Sequence, residues 1–144
     1  MFKKLLSIIS LCLISSTVLA QTALAQAPLP TPDRNGDYLG HVGYEKWIVV
    51  DPDPKGLNCR WSEEMPNDWY APHATLTTRN FGQWSVVRRF QKNTPSQYLT
   101  ANLSPAGFAT LIDEFGKPWL KVSIGSNDQI CLVRANAKYV RPVK

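Results

Sequence analysis

From Lys46 onward, no stretch of this chain shows an amphipathic pattern at helical spacing across about ten residues or more. Short β-prone runs alternate instead with turns rich in proline and glycine. That pattern confines the chain to an all-β class. Trp47, Ile48, Val49 and Val50 form one run, and it stops at Asp51 to Gly56, where Pro52, Pro54 and Gly56 force a turn. Leu57, Asn58, Cys59 and Arg60 alternate apolar and polar as a half-buried strand does. Residues 84–90, with Val86, Val87 and Phe90, form a further strand. Residues 107–112 and 118–124 are joined by Asp113 to Lys117, whose Gly116 suits a tight hairpin. Residues 129–134 follow, then a short piece at 139–141 after a single helical turn at 135–138. A folded part of about 95 residues with five to six strands fits a small β-barrel.

The first residues belong to a different regime. Lys3 and Lys4 precede an apolar stretch from Leu5 to Leu19, and small-residue exits end at Ala20 and Ala25. A basic start, about 15 apolar residues and an A-x-A exit describe a secretory signal peptide, residues 1–25, with the cut after Ala25 favoured over Ala20. The stretch is shorter than the roughly 20 residues that a transmembrane helix needs. Cys12 follows Leu11 rather than a small residue, which argues against lipid attachment. The expectation is an exported chain, periplasmic or extracellular, with no stable membrane span after cleavage.

Removing that segment changes the charge and the cysteine count. The 144-residue chain carries a formal charge of +5 and three cysteines. Cleavage takes away two of those charges and Cys12, leaving Cys59 and Cys131. Two cysteines in an exported chain read first as one disulfide, closing a loop of about 70 residues. A pair of buried thiols is the other reading. The modest remaining charge weakens the case for a nucleic-acid partner. Arg88 and Arg89 point to opposite sides of their strand, so only one can face any given surface, and a nucleic-acid patch would need many more cations on one face.

Residues 26–45 hold several prolines and glycines with little periodicity, and read as an N-terminal arm. Its end can pack on the domain through Tyr38, Leu39 and Tyr44. In the run 118–124, Leu120, Val122 and Ile124 share one side and fill a core. Trp119, Lys121 and Ser123 share the other. Trp119 is either a lid over one end of a barrel or a platform for a ligand.

Three motifs, in this order, resemble the bacterial SH3-like (SH3b) domain. Leu57-Asn58-Cys59-Arg60 is similar to the Leu-Asn-Val-Arg signature, with Cys in the Val position. Gly116-Lys117-Pro118-Trp119-Leu120-Lys121-Val122 resembles the glycine, tryptophan and Lys-Val of the central hairpin. Cys131-Leu132-Val133-Arg134-Ala135 with Tyr139-Val140 resembles the closing Gly-Trp-Val and the Tyr-Val after its helical turn. The likeness spans residues 46–143, and the chain is similar to small exported SH3-like proteins of cyanobacteria. It implies an SH3-like barrel over 46–144, with a long insertion after the first barrel strand. Two departures stand out. Cys131 and Leu132 replace the usual Gly-Trp, and the loop Trp61 to Gln83 is longer than the family's. The first favours the disulfide, because Cys59 and Cys131 both take inward positions in the resembling strands.

The long loop concentrates Trp61, Trp69, Tyr70, His73 and Phe81 with Glu63, Glu64 and Asp68. By the resemblance, this loop flanks a ligand groove. Trp61, Trp69, Tyr70 and Trp119 are the expected binding residues, since large aromatics supply contact area with little entropy to lose. The acids would suit an amine-bearing peptide. Alternatively the loop folds back and uses its aromatics as a mini-core.

Catalysis is not expected. Cys59 with His73 is the one nucleophile–base pair worth naming, and nothing lies at a spacing that orients His73. His41 and His73 lack ligand spacing for a metal, no Gly-x-Ser-x-Gly occurs, and no cofactor is expected. The expected role is a monomeric, noncatalytic binding module for a peptide, a peptidoglycan stem or an envelope partner protein. The alternatives are an envelope scaffold, structural or stress-related, or an inhibitor-like protein presenting the loop 61–83.

Overall fold

Turn chemistry cuts the chain where the sequence places it. The computed structural model describes residues 28–39, 44–65, 79–92, 98–103, 110–125 and 129–144. These contain eight strands: β1 (Lys46–Val49), β2 (Leu57–Trp61), β3 (Ser85–Phe90), β4 (Leu99–Thr100), β5 (Thr110–Ile112), β6 (Pro118–Ser123), β7 (Ile130–Arg134) and β8 (Val140–Pro142). Gly56 ends the first turn at φ +86°, and a β-carbon there would stand 2.7 Å from the carbonyl oxygen of Phe90. Only glycine fits both demands. Gly116, at φ +72°, closes the β5–β6 turn, with its N–H donating to the Asp113 carbonyl at 3.0 Å.

The strands form two antiparallel sheets rather than the single closed barrel of five to six strands. One has the order β4-β1-β8, and the other β3-β2-β7-β6-β5. The large sheet ends at β3 on one side and β5 on the other. β1 does not join it but takes β8 and β4 as partners. β4, a two-residue strand, has no counterpart among the strands expected from the sequence. The single helical turn expected at 135–138 is a hydrogen-bonded turn, with the N–H groups of Tyr139 and Val140 both donating to the Asn136 carbonyl.

The main core lies between the sheets. Trp47, Val49 and Val140 meet Cys59, Leu120, Val122, Cys131 and Val133, all with little or no exposed area. Leu120 and Val122 therefore fill the core as their spacing requires, with Ile124 packed against it. The arm contributes as well. Tyr38 is buried edge-on against Trp47 at 5.0 Å and Tyr44 packs on the same cluster, while Leu39 stays half exposed. The arm is fastened by Asp37, whose carboxylate pairs with Arg134 at 2.7 Å and also accepts from the Asn136 amide.

Cys59 and Cys131 form a disulfide between β2 and β7, with their Cα atoms 5.5 Å apart. The two strands are neighbours, but their ladder is short, with Arg60 opposite Leu132. The bridge thus joins the β2–β3 pair to the β5-β6-β7 meander where backbone pairing is thinnest. It closes a loop of 72 residues, which constrains the unfolded chain by about 4 kcal/mol. Replacing both cysteines, Cys59→Ala with Cys131→Ala, is expected to remove a stabilisation of that size in urea denaturation. A loss below about 1 kcal/mol would show that the β2–β7 junction holds without the bridge.

Candidate functional site

Residues two apart on a strand share a face, and residues opposite each other in register share one too. Arg60 stands opposite Leu132 on β7, and Arg134, two residues on, stands opposite Trp119 on β6. Arg60, Leu132, Arg134 and Trp119 thus lie on one face of the large sheet, the face turned away from the main core.

Trp119 is held from both sides there. Its indole N–H donates to the Asp113 carboxylate at 2.9 Å, and the ring meets Phe81 edge-on at 6.0 Å. Asp113 is itself buried, and its other oxygen accepts from the backbone N–H groups of Phe115 and Lys117. Phe81 sits in a 3₁₀ turn, Phe81–Gln83, and leans on Trp84 at 4.8 Å. With Met65, Leu111 and Leu132, these rings form a second core, and Trp61 packs against it.

The expected binding residues are distributed as follows. Trp119, 6% exposed, belongs to the second core, and the half-buried Trp61 packs against that same cluster. Trp69 and Tyr70 lie outside the described residues, as do His41, Asp68 and His73. The described ends of the 61–83 loop turn inward through Trp61, Met65 and Phe81, as the mini-core alternative has it. Cys59 is fully buried in the disulfide, so in this form it carries no thiolate. Glu63 and Glu64 are exposed in the turn after β2, and Glu64 borders a small polar cavity of about 420 Å³ with Arg79 and Glu114.

A larger groove of about 680 Å³ opens beside Trp119. Leu57, Pro52 and Tyr139 give it apolar walls. Four cations line it: Arg60, Lys117, Arg134 and Lys138, against the acids Asp51 and Asp53. The guanidinium of Arg60 donates to the Trp84 carbonyl at 2.6 Å, and that of Arg134 donates to the Pro118 carbonyl at 2.6 Å. Both are therefore pinned at the floor. Lys117 and Lys138 are exposed on the rim, lying over the rings of Phe115 and Tyr139. Asp51 is buried, its carboxylate accepting from the Asp53 N–H at 2.9 Å, and Asp53 in turn accepts from the Lys55 N–H. Apart from Trp119, sequence reasoning did not single out these residues as a site. The lining comes from separate segments, and only the register of β2, β7 and β6 brings Arg60 and Arg134 to one face.

Lys121 shares that face of β6 and is 1% exposed. Burial pushes its ammonium down to about 8. Below that pH the folded chain carries a buried charge, and above it the unfolded chain binds more protons than the folded one. Stability is therefore expected to rise between about pH 8 and 10, by up to about 3 kcal/mol over the full interval to 10.5. Burial also raises the Tyr38 hydroxyl above 10.0, against the opposing charge of Arg141, and this lowers stability only above that range. Denaturation of Lys121→Met across pH 8–10 should give a flat profile. A variant that keeps the rise would place the titrating group elsewhere.

Among the described residues, no cluster of three or more His, Cys, Asp or Glu side chains could hold a metal ion, and no helix is long and apolar enough to cross a membrane. No family model, no curated protein and no solved structure matches this chain.

Proposed function

We propose that this protein is an exported, noncatalytic binding module that holds a short peptide segment in the groove beside Trp119. The segment is a free peptide, a stem of peptidoglycan or a stretch of an envelope partner. The observation that carries this reading is the groove itself. Its floor is fixed by hydrogen bonds, its walls are apolar, and its polar groups converge from two strands and three turns. Binding sites for small ligands combine these same elements.

The reading extends to the fold. We take the two sheets as a divergent SH3-like domain, on the strength of where the resembling motifs fall. The Leu57-Asn58-Cys59-Arg60 motif lies on β2, the Trp119 motif runs into β6, and the Cys131 motif lies on β7. These three strands are adjacent in the large sheet. A scaffold role without a ligand is the second reading, favoured by the two cores and the disulfide.

Retention on purified peptidoglycan sacculi separates them. The wild-type protein is expected to be retained at low salt. The charge reversal Lys117→Glu with Lys138→Glu, on exposed side chains, should abolish retention. The reversal Lys46→Glu with Lys144→Glu, equally exposed but outside the groove, should leave most of it. Equal loss in both variants would reduce binding to net charge, and no retention of wild type would favour the scaffold.

A further inference from the structure

The two arginines at the groove floor differ in one respect. Arg134 has a carboxylate partner: its Nη2 donates to both oxygens of Asp37, at 2.7 and 2.8 Å. Arg60 has none among the described residues, where Arg134–Asp37 is the one ion pair. Its hydrogen bond there goes to a neutral carbonyl, that of Trp84. A half-buried guanidinium with no carboxylate partner among the described residues invites negative charge, and its planar fork of donors matches a carboxylate.

Neither described acid of the groove, Asp51 or Asp53, pairs with Arg60. Asp51 and Asp53 belong to the turn before β2, where each accepts a backbone N–H. Lys117 and Lys138 add positive charge at the rim. The lining therefore has an excess of cations beside apolar walls. On the same face, Arg134 already holds one carboxylate, that of Asp37 from the arm, through a single nitrogen that donates to both oxygens.

We infer that the groove reads a carboxylate on its peptide ligand, and that Arg60 is the residue that receives it. Lys117 and Lys138 draw the anion in, and Trp119 with Tyr139 contacts the apolar part next to it. This rests on the binding reading above and narrows it to anionic peptides. The carboxylate can be a peptide C-terminus or an acidic side chain.

Calorimetric titration of the full chain tests this with three probes: N-acetyl-trialanine, its C-terminal amide, and N-acetyl-alanyl-glutamyl-alanine amide. Binding of the acid about tenfold or more tighter than its amide is expected if the C-terminus is read. Tighter binding of the glutamyl probe than of the trialanine amide is expected if a side chain is read. Arg60→Lys keeps the charge and a donor for the Trp84 carbonyl but loses the fork. It should cost about tenfold on the anionic probe and nothing on the trialanine amide. The pair Lys117→Ser with Lys138→Ser, on exposed side chains, should weaken the anionic probe in a salt-dependent way. The amide binding as tightly as both anionic probes overturns the carboxylate and leaves peptide binding standing. Arg60→Lys binding the anionic probe like wild type also overturns it, and so does failure of all three probes to bind. Sacculus retention that depends on the rim lysines remains the separate measure of the binding reading.

Discussion

The disulfide between Cys59 and Cys131 is the constraint from which the large sheet takes its shape. β2 arrives with β3 as one pair, and β7 arrives with β6 and β5 as a meander. The two groups meet along a short ladder, and the bridge fixes that meeting from the core side. Because neighbouring residues on a strand face opposite ways, fixing Cys59 and Cys131 inward also fixes Arg60 and Leu132 outward. The same covalent bond that staples the core therefore sets the floor of the groove. A change at the bridge should be felt on both faces of the sheet.

That outer face is buried at its centre, which is unusual for an antiparallel sheet with one side on a core. The second cluster, built from the 3₁₀ turn and the ends of the 61–83 loop, covers it. Trp119 is its keystone: packed by Phe81, bonded by Asp113, and almost wholly buried while it lines the groove. A groove resting on such a residue has little freedom to lose when something enters it, and this favours binding.

Strands flanked by proline or glycine turns, or by strong β-prone runs, were legible in the sequence, as β1, β2, β3, β6, β7 and β8 show. β4 was not, because two residues carry no periodicity and its pairing with Lys46 and Trp47 comes from tertiary contact. The closed barrel was an extrapolation from strand count, and strand count does not say which edges meet. In β6 the alternation rule correctly placed Leu120 and Val122, but it could not say that Trp119 and Lys121 are buried as well. The rule knows two faces and cannot tell when both are dry. The candidate site was legible only in Trp119, which lines the groove while packing in the second core. Arg60 and Arg134 were visible only as the last letters of their motifs, since their meaning depends on which strands lie side by side.

The outer strand of the large sheet, β3, remains open on one side among the described residues, and it exposes Val87 between the half-buried Val86 and the charged Arg88. An open edge is a template on which another chain can add a strand. Here Arg88 and Arg89 occupy its middle, Arg89 tied to Asn58 and Arg88 resting over Phe90. Two copies approaching edge to edge in antiparallel fashion would bring these four guanidinium groups together around the contact. Repulsion among them works against sheet-to-sheet polymerisation, so the strand that exposes Val87 also carries its own guard against fibre growth.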